Sequence, residues 1–135
     1  MPRVSNELNE QYYEPVCIGP IAQVDLSNSV TLGAAPATIA ASGSWNSNVA
    51  ITDGYKAIAA GVTSSQAGTL SVQRYLDTAG LVAQGAPVSV ALSAGVAAVV
   101  NCMDGVPCQS FKVTITNSSG SVANITNFAC LLNAQ

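Results

Sequence analysis

An all-β fold, a single antiparallel sandwich or barrel, is what this sequence predicts. From Lys56 to Leu132 short runs of β-branched and small apolar residues alternate with polar ones, and turn signals cut them at roughly 8 to 12 residue intervals. No segment carries a helical period of apolar residues. The side chains are mostly Ala, Val, Ser, Thr, Asn and Leu, charged residues make up 8% of the chain, and there is no histidine. At 135 residues the chain fits one domain, which buries roughly two thirds of the surface its unfolded form exposes.

Residues 1–16 differ from the rest of the chain and are expected to form an extended N-terminal arm, leaving 17–135 as the sandwich. The arm holds Glu7, Glu10 and Glu14, the pair Tyr12-Tyr13, and no strand periodicity. Tyr12, Tyr13 and Pro15 are its candidate protein-binding residues, because aromatic side chains supply contact area at low entropic cost. A frayed terminus is the competing reading. Cys17 to Val24 is a first apolar run, broken by Gly19-Pro20. Val30-Thr31-Leu32 and Ala37-Thr38-Ile39-Ala40 read as weak strands within a region rich in Ser, Ala, Gly, Pro and Asn. Trp45 reads as a plug at one end of the core, with an exposed aromatic platform as the alternative.

The pattern sharpens beyond Asn48. Lys56 to Val62 is apolar but built of small residues, as for a strand covered on both faces or closely approached by a neighbour. In the next strand Leu70, Val72 and Leu76 point inward, and Ser71, Gln73 and Tyr75 outward. Arg74 falls on the inward phase, with no partner visible in the sequence. Asp77-Thr78-Ala79-Gly80 makes a turn. Val88 to Leu92 and Val96 to Val100 are two further strands, separated at Gly95. Phe111, Val113 and Ile115 point inward while Lys112, Thr114 and Thr116 point outward. In the last run, Val122 to Leu132, Ile125 lies on odd phase but Phe128, Cys130 and Leu132 on even phase. One inserted residue near Thr126-Asn127, a β-bulge, accounts for the slip, as would two separate strands.

Composition excludes several functions. Without imidazole there is no Ser-His-Asp or Cys-His arrangement and no histidine metal site. Asp25, Asp53, Asp77 and Asp104 leave a carboxylate pair formally open, but the last three sit in turn contexts that explain them. We therefore expect no enzyme and no cofactor or metal. The four basic residues, Arg3, Lys56, Arg74 and Lys112, are far apart in a chain of net charge −3, which argues against nucleic acid and against an anionic membrane. No apolar stretch reaches the roughly 18 residues of a bilayer span, and no secretory signal is visible at the N-terminus. Four cysteines allow three complete pairings; Cys102 and Cys108 flank Asp104-Gly105, open to facing each other across a hairpin, with Cys17 and Cys130 then meeting only through tertiary packing. The favoured reading is four small buried free thiols in a reducing compartment. Cys102-x5-Cys108 does not match zinc-knuckle spacing. Asn117-Ser118-Ser119 and Asn124-Ile125-Thr126 fit the glycosylation triplet by chance in so Asn- and Ser-rich a chain.

The block Gly68-Thr69-Leu70-Ser71-Val72-Gln73-Arg74-Tyr75-Leu76-Asp77, the Ala/Val strand after it, Gln109 to Gly120 and Asn127 to Leu132 together resemble capsid decoration (cement) proteins of tailed bacteriophages. That resemblance, one of strand style over roughly the last 80 residues, implies a jelly-roll-like β-sandwich. It further implies a structural virion protein made in the host cytoplasm and seated on the outer surface of the capsid. There, as a homodimer or homotrimer, it would bridge subunits of the major capsid protein and stabilise the shell. The alternative is a receptor- or glycan-binding domain of a tail fibre or adhesin, using Trp45, Tyr55 and Tyr75. A third reading, an exported pilin-like or surface-layer subunit, would need disulfides.

Overall fold

The computed structural model describes residues 23–28 and 30–134. The expected arm, with Tyr12, Tyr13 and Pro15, lies outside them, as does Cys17. Among the described residues there are ten strands and no helix. They are β1 (Gln23–Asp25), β2 (Thr38–Ile39), β3 (Ser44–Asn46), β4 (Ala50–Ile51), β5 (Ala57–Ser64), β6 (Gly68–Tyr75), β7 (Val88–Leu92), β8 (Ala97–Cys102), β9 (Ser110–Asn117) and β10 (Ala123–Asn133). Sheet I runs β3-β9-β6-β7, with β4 also on β9; sheet II runs β1-β10-β5-β8, with β2 also on β10. All pairings are antiparallel.

The short strands are two interrupted edges: β1 and β2 pair with opposite ends of β10, and β3 and β4 with opposite ends of β9. Each interrupted edge counts as one strand, and the connectivity is then nested. The first and last strands are neighbours in sheet II, the next pair inward in sheet I, β5 and β8 in sheet II, and β6 and β7 in sheet I. This is the jelly-roll order, in which consecutive strands repeatedly cross from one sheet to the other.

The inward phase of each strand fills the space between the sheets. Phe111, Val113 and Ile115 of β9 meet Leu70 and Val72 of β6 on one side, and Ile58, Ala60, Val62, Cys130 and Leu132 close the core from sheet II. Burying a branched or aromatic side chain of this kind contributes about 1.5–3 kcal/mol. The slip in β10 is a bulge: its register against β5 shifts between Thr126 and Ala129, and Asn127 takes φ +55°. Between β3 and β4 the Ser47 N–H donates to the Val113 carbonyl (2.8 Å), and the Ser47 Oγ accepts the Val113 N–H (2.9 Å). A side chain thus replaces a ladder partner where the edge breaks.

Four expectations need correcting. Val30 to Leu32 is a turn, not a strand; Leu32 is driven fully into the core through the break in the β1/β2 edge, its carbonyl taking the Asn48 N–H (2.8 Å). Leu76 lies beyond β6 and is exposed, whereas Tyr75 is buried. Cys102 and Cys108 do not face each other across a hairpin, because the chain between them crosses from β8 in sheet II to β9 in sheet I. Cys102, Cys108 and Cys130 are free thiols.

At the end of the sandwich where β9 finishes and β10 starts, here the upper end, Asn117 is 2% exposed. Its Nδ2 donates to the carbonyls of Ile39 (3.2 Å), Ala40 (3.1 Å) and Ser121 (2.7 Å), and its Oδ1 accepts from Ser119 N (3.0 Å) and Oγ (2.8 Å). One amide therefore ties sheet I to the β2 edge of sheet II. Both amide atoms are engaged inside the fold, so the first glycosylation triplet presents no free acceptor.

Candidate interaction surfaces

The strand registers place the outward side chains on two grids of opposite character. Across sheet I run Asn46–Thr114–Ser71–Ser89 and Ser44–Thr116–Thr69–Ala91, with Lys112 beside Gln73. This face is polar, and Thr114 Oγ1 donates to Asn46 Oδ1 (2.7 Å). Across sheet II run Leu131–Ala59–Asn101 and Ala129–Gly61–Val99, with Asn133 beside Ala57. Asp25, opposite Leu131 on the β1 edge, is the one charge in these rows. Val99 and Met103 are more than half exposed. Small residues along β5 form the floor of a trough. Its two halves are hollows of about 160 Å³ around Ala57, Ala59, Met103 and Leu131, and about 170 Å³ around Gly61, Val99 and Ala129. Gly61 is small for a second reason: a Cβ there would stand 3.3 Å from the Ala98 carbonyl oxygen and from Val99 Cγ2. At Gly61, then, the small size reflects close approach by β8, and on the outer face Val99, Asn101 and Met103 are exposed.

The lower end carries the β4–β5, β6–β7 and β8–β9 connections. After β6 the chain makes an apolar knuckle on which Leu76, Leu81 and Val82 are exposed, Leu81 by 83%. The knuckle is held from within. Leu76 N–H donates to the Val82 carbonyl (2.9 Å), and the Asp77 carboxylate accepts N–H groups of Leu81 (2.9 Å) and Val82 (2.9 Å). The Val82 N–H is the main reason the Asp77 carboxyl sits below its ordinary range. Ser110 Oγ fastens the knuckle to β9 through the Asp77 carbonyl (2.6 Å), and Gly80 packs so closely on Val49 that a Cβ would stand 2.7 Å from its Cγ2.

Arg74 finds its partner in the β8–β9 connection. Nη1 and Nη2 donate to Asp104 Oδ1 (2.6 Å) and Oδ2 (3.1 Å), a two-pronged bond that joins sheet I to the crossover. Asp104 also accepts the Val106 N–H (3.2 Å), in keeping with its turn context. The Arg74 hydrogen bond and then the Val106 N–H lower its carboxyl to about 2. Burial pushes the Cys102 and Cys108 thiols up, and that of Cys130 up to about 12. Among the described residues no three His, Cys, Asp or Glu side chains gather where they could hold a metal.

The aromatic residues considered for a glycan platform are mostly committed elsewhere. Trp45 is half-buried against the core and meets Phe128 edge to face at 5.6 Å and 83°, the geometry of a plug. Tyr75 is buried. Tyr55 alone lines an open hollow, with Lys56, Gly105 and Pro107. Sequence reasoning identifies neither the apolar face of sheet II nor the knuckle as a surface, although alternation along β5, β8 and β10 contains the first. Comparison with known protein families and with curated proteins finds no match for the chain.

Proposed function

We propose that this chain is a structural virion protein of a tailed bacteriophage that binds the outer surface of the head and bridges major capsid subunits. The observation that carries the reading is the knuckle, an exposed apolar contact made rigid by Asp77. A pre-ordered apolar tip loses little entropy on docking. On this reading the knuckle meets one capsid subunit, and Tyr12, Tyr13 and Pro15 of the arm meet the next. The jelly roll presents the knuckle and is self-associated as a dimer or trimer. Repeated over a shell, weak bridges act multivalently, and a ligand that binds only the assembled lattice stabilises it by mass action. The glycan-binding alternative has less support, since Trp45 and Tyr75 are turned into the fold.

The test is occupancy on purified heads. Wild-type chain should bind and raise the temperature at which heads open. Leu81→Asp, at a side chain that makes no contribution to the core, should weaken binding by about tenfold or more, the worth of one buried leucine. Heads that neither bind the chain nor gain heat resistance from it would end the proposal. Equal binding by Leu81→Asp would remove the knuckle from it.

A further inference from the structure

We infer that the hollow beside the β10 bulge is a binding site for one uncharged sugar residue. It opens where the β1/β2 edge is interrupted. β1 pairs with β10 from Leu131 to Asn133 and β2 pairs with it at Ala123 and Asn124. Among the described residues, the stretch of β10 between them therefore has no edge strand beside it. The chain is pinned on both sides of this gap. Leu26 N–H donates to the Cys130 carbonyl (2.8 Å), Ser27 Oγ accepts the Cys130 N–H (3.0 Å), and Ile125 N–H donates to the Ala37 carbonyl (2.9 Å). Between the pins lies a hollow of about 320 Å³ whose walls include Ser27, Asn28, Pro36, Thr126, Asn127 and Phe128. That volume is at the small end of the range for ligand sites.

The chemistry of the walls selects the ligand. No lining residue is ionisable, so a charged group entering the hollow would lose water without gaining a counter-charge. The bulge leaves Asn127 and Phe128 without partners on β5 and re-aims both side chains. Asn127 takes φ +55°, which glycine would meet without strain. Asparagine adds an amide that makes no hydrogen bond within the described residues, and the same holds for the Asn28 amide beside it. An amide sets a carbonyl acceptor next to an N–H donor, and two neighbouring sugar hydroxyls, each donor and acceptor at once, complement that pair. Phe128 is half-buried, and Trp45 meets its ring edge to face at 5.6 Å. The ring is thereby fixed as an apolar wall against which the C–H groups of a pyranose can lie. Trp45 does not itself line the hollow, so its part is to position Phe128 and not to serve as an exposed platform. The inference does not depend on the virion reading, and its test needs no particle.

The experiment uses the full chain and the methyl glycosides of glucose, galactose, mannose and N-acetylglucosamine. Methyl glucuronide is the charged counterpart, and a short uncharged glycine-serine peptide is the second control. At millimolar concentration at least one neutral glycoside should shift the side-chain amide signals of Asn28 and Asn127, and the fluorescence of Trp45, the one tryptophan, in a saturable way. The glucuronide and the peptide should bind about tenfold or more weakly. Asn127→Gly keeps the bulge conformation, so it should melt close to the parent chain while weakening the neutral glycoside about tenfold or more. Asn28→Ala, at an exposed position, repeats the measurement should Asn127→Gly melt early. Absence of a saturable shift from every neutral glycoside would overturn the inference. So would equal binding of the glucuronide or the peptide, or an unchanged affinity in the folded variants.

Discussion

Replacing Asn117 tests the upper end of the sandwich most directly. Its amide makes five hydrogen bonds, two of its three acceptors sharing one hydrogen, at a side chain only 2% exposed. At a net value of about 0.5–1.5 kcal/mol for each of four independent bonds, Asn117→Ala should cost about 2–6 kcal/mol. That is a large share of the roughly 7–20 kcal/mol expected for a domain of this length. Asn117→Asp sets oxygen against the three carbonyls that now receive Nδ2, so the folded state favours the neutral acid and the new carboxyl is raised above the unfolded value of about 3.9. An acid raised on folding costs stability once the unfolded chain ionises. The penalty of Asn117→Asp should therefore be smallest at acid pH and grow as pH rises from the unfolded value through the raised one. Urea unfolding followed by the fluorescence of Trp45, the one tryptophan, measures both variants, with the exposed Asn124→Ala as a control expected within about 0.5 kcal/mol. A loss below about 1 kcal/mol for Asn117→Ala, or a pH-independent penalty for Asn117→Asp, would refute the clasp.

Gly68→Ala places a Cβ 1.9 Å from the Thr116 carbonyl oxygen; the strands must part, and chemical denaturation should register a loss of about 1–3 kcal/mol or more. Asp104→Ala strands the Arg74 guanidinium, 7% exposed, without its acceptor, whereas Arg74→Met leaves a carboxylate that is 51% exposed and can be hydrated. Thermal melts should therefore rank Asp104→Ala as the more damaging change. The Asp104 carboxyl is lowered on folding to about 2, so its contribution is complete above the unfolded value of about 4 and lost as pH falls toward 2. Asp104→Asn should flatten acid unfolding in that window. Thiol labelling of the native chain at about pH 8 should modify half-buried Cys108 before Cys102 or Cys130, whose thiols are buried and pushed up, and early labelling of Cys130 would contradict the packing of β10.

How far the sequence carries depends on whether the cause of a feature is local. Alternation from Phe111 to Thr116 is readable because β9 is central in sheet I and every second residue enters the core. The bulge is readable because one inserted residue flips all that come after it. Arg74 is visibly out of place in the sequence, but its partner stands 30 residues away in a crossover, and no local pattern names it. The Cys102–Cys108 segment misleads for a related reason: turn chemistry marks where a chain bends, not which sheet the next strand joins. Asn117 looks like an ordinary turn residue because its carbonyl partners at Ile39 and Ala40 are nearly 80 positions upstream. For the surfaces, the small residues of β5 are plain in the sequence, and only the registers of β8 and β10 line them up as one trough. The arm on which the site residues were placed, Tyr12, Tyr13 and Pro15, lies outside the described residues.

The interrupted edges make the two flanks of the sandwich unequal as templates. On one flank β1 and β3 offer three residues each and β2 and β4 two each, too few for a foreign strand to zip along before the backbone turns away. On the other, β7 and β8 run for five and six residues without a break. Among the described residues, strand addition is thus favoured along a single flank of the sandwich. One charge or proline introduced into β7 or β8 at an outward position would close that side as well.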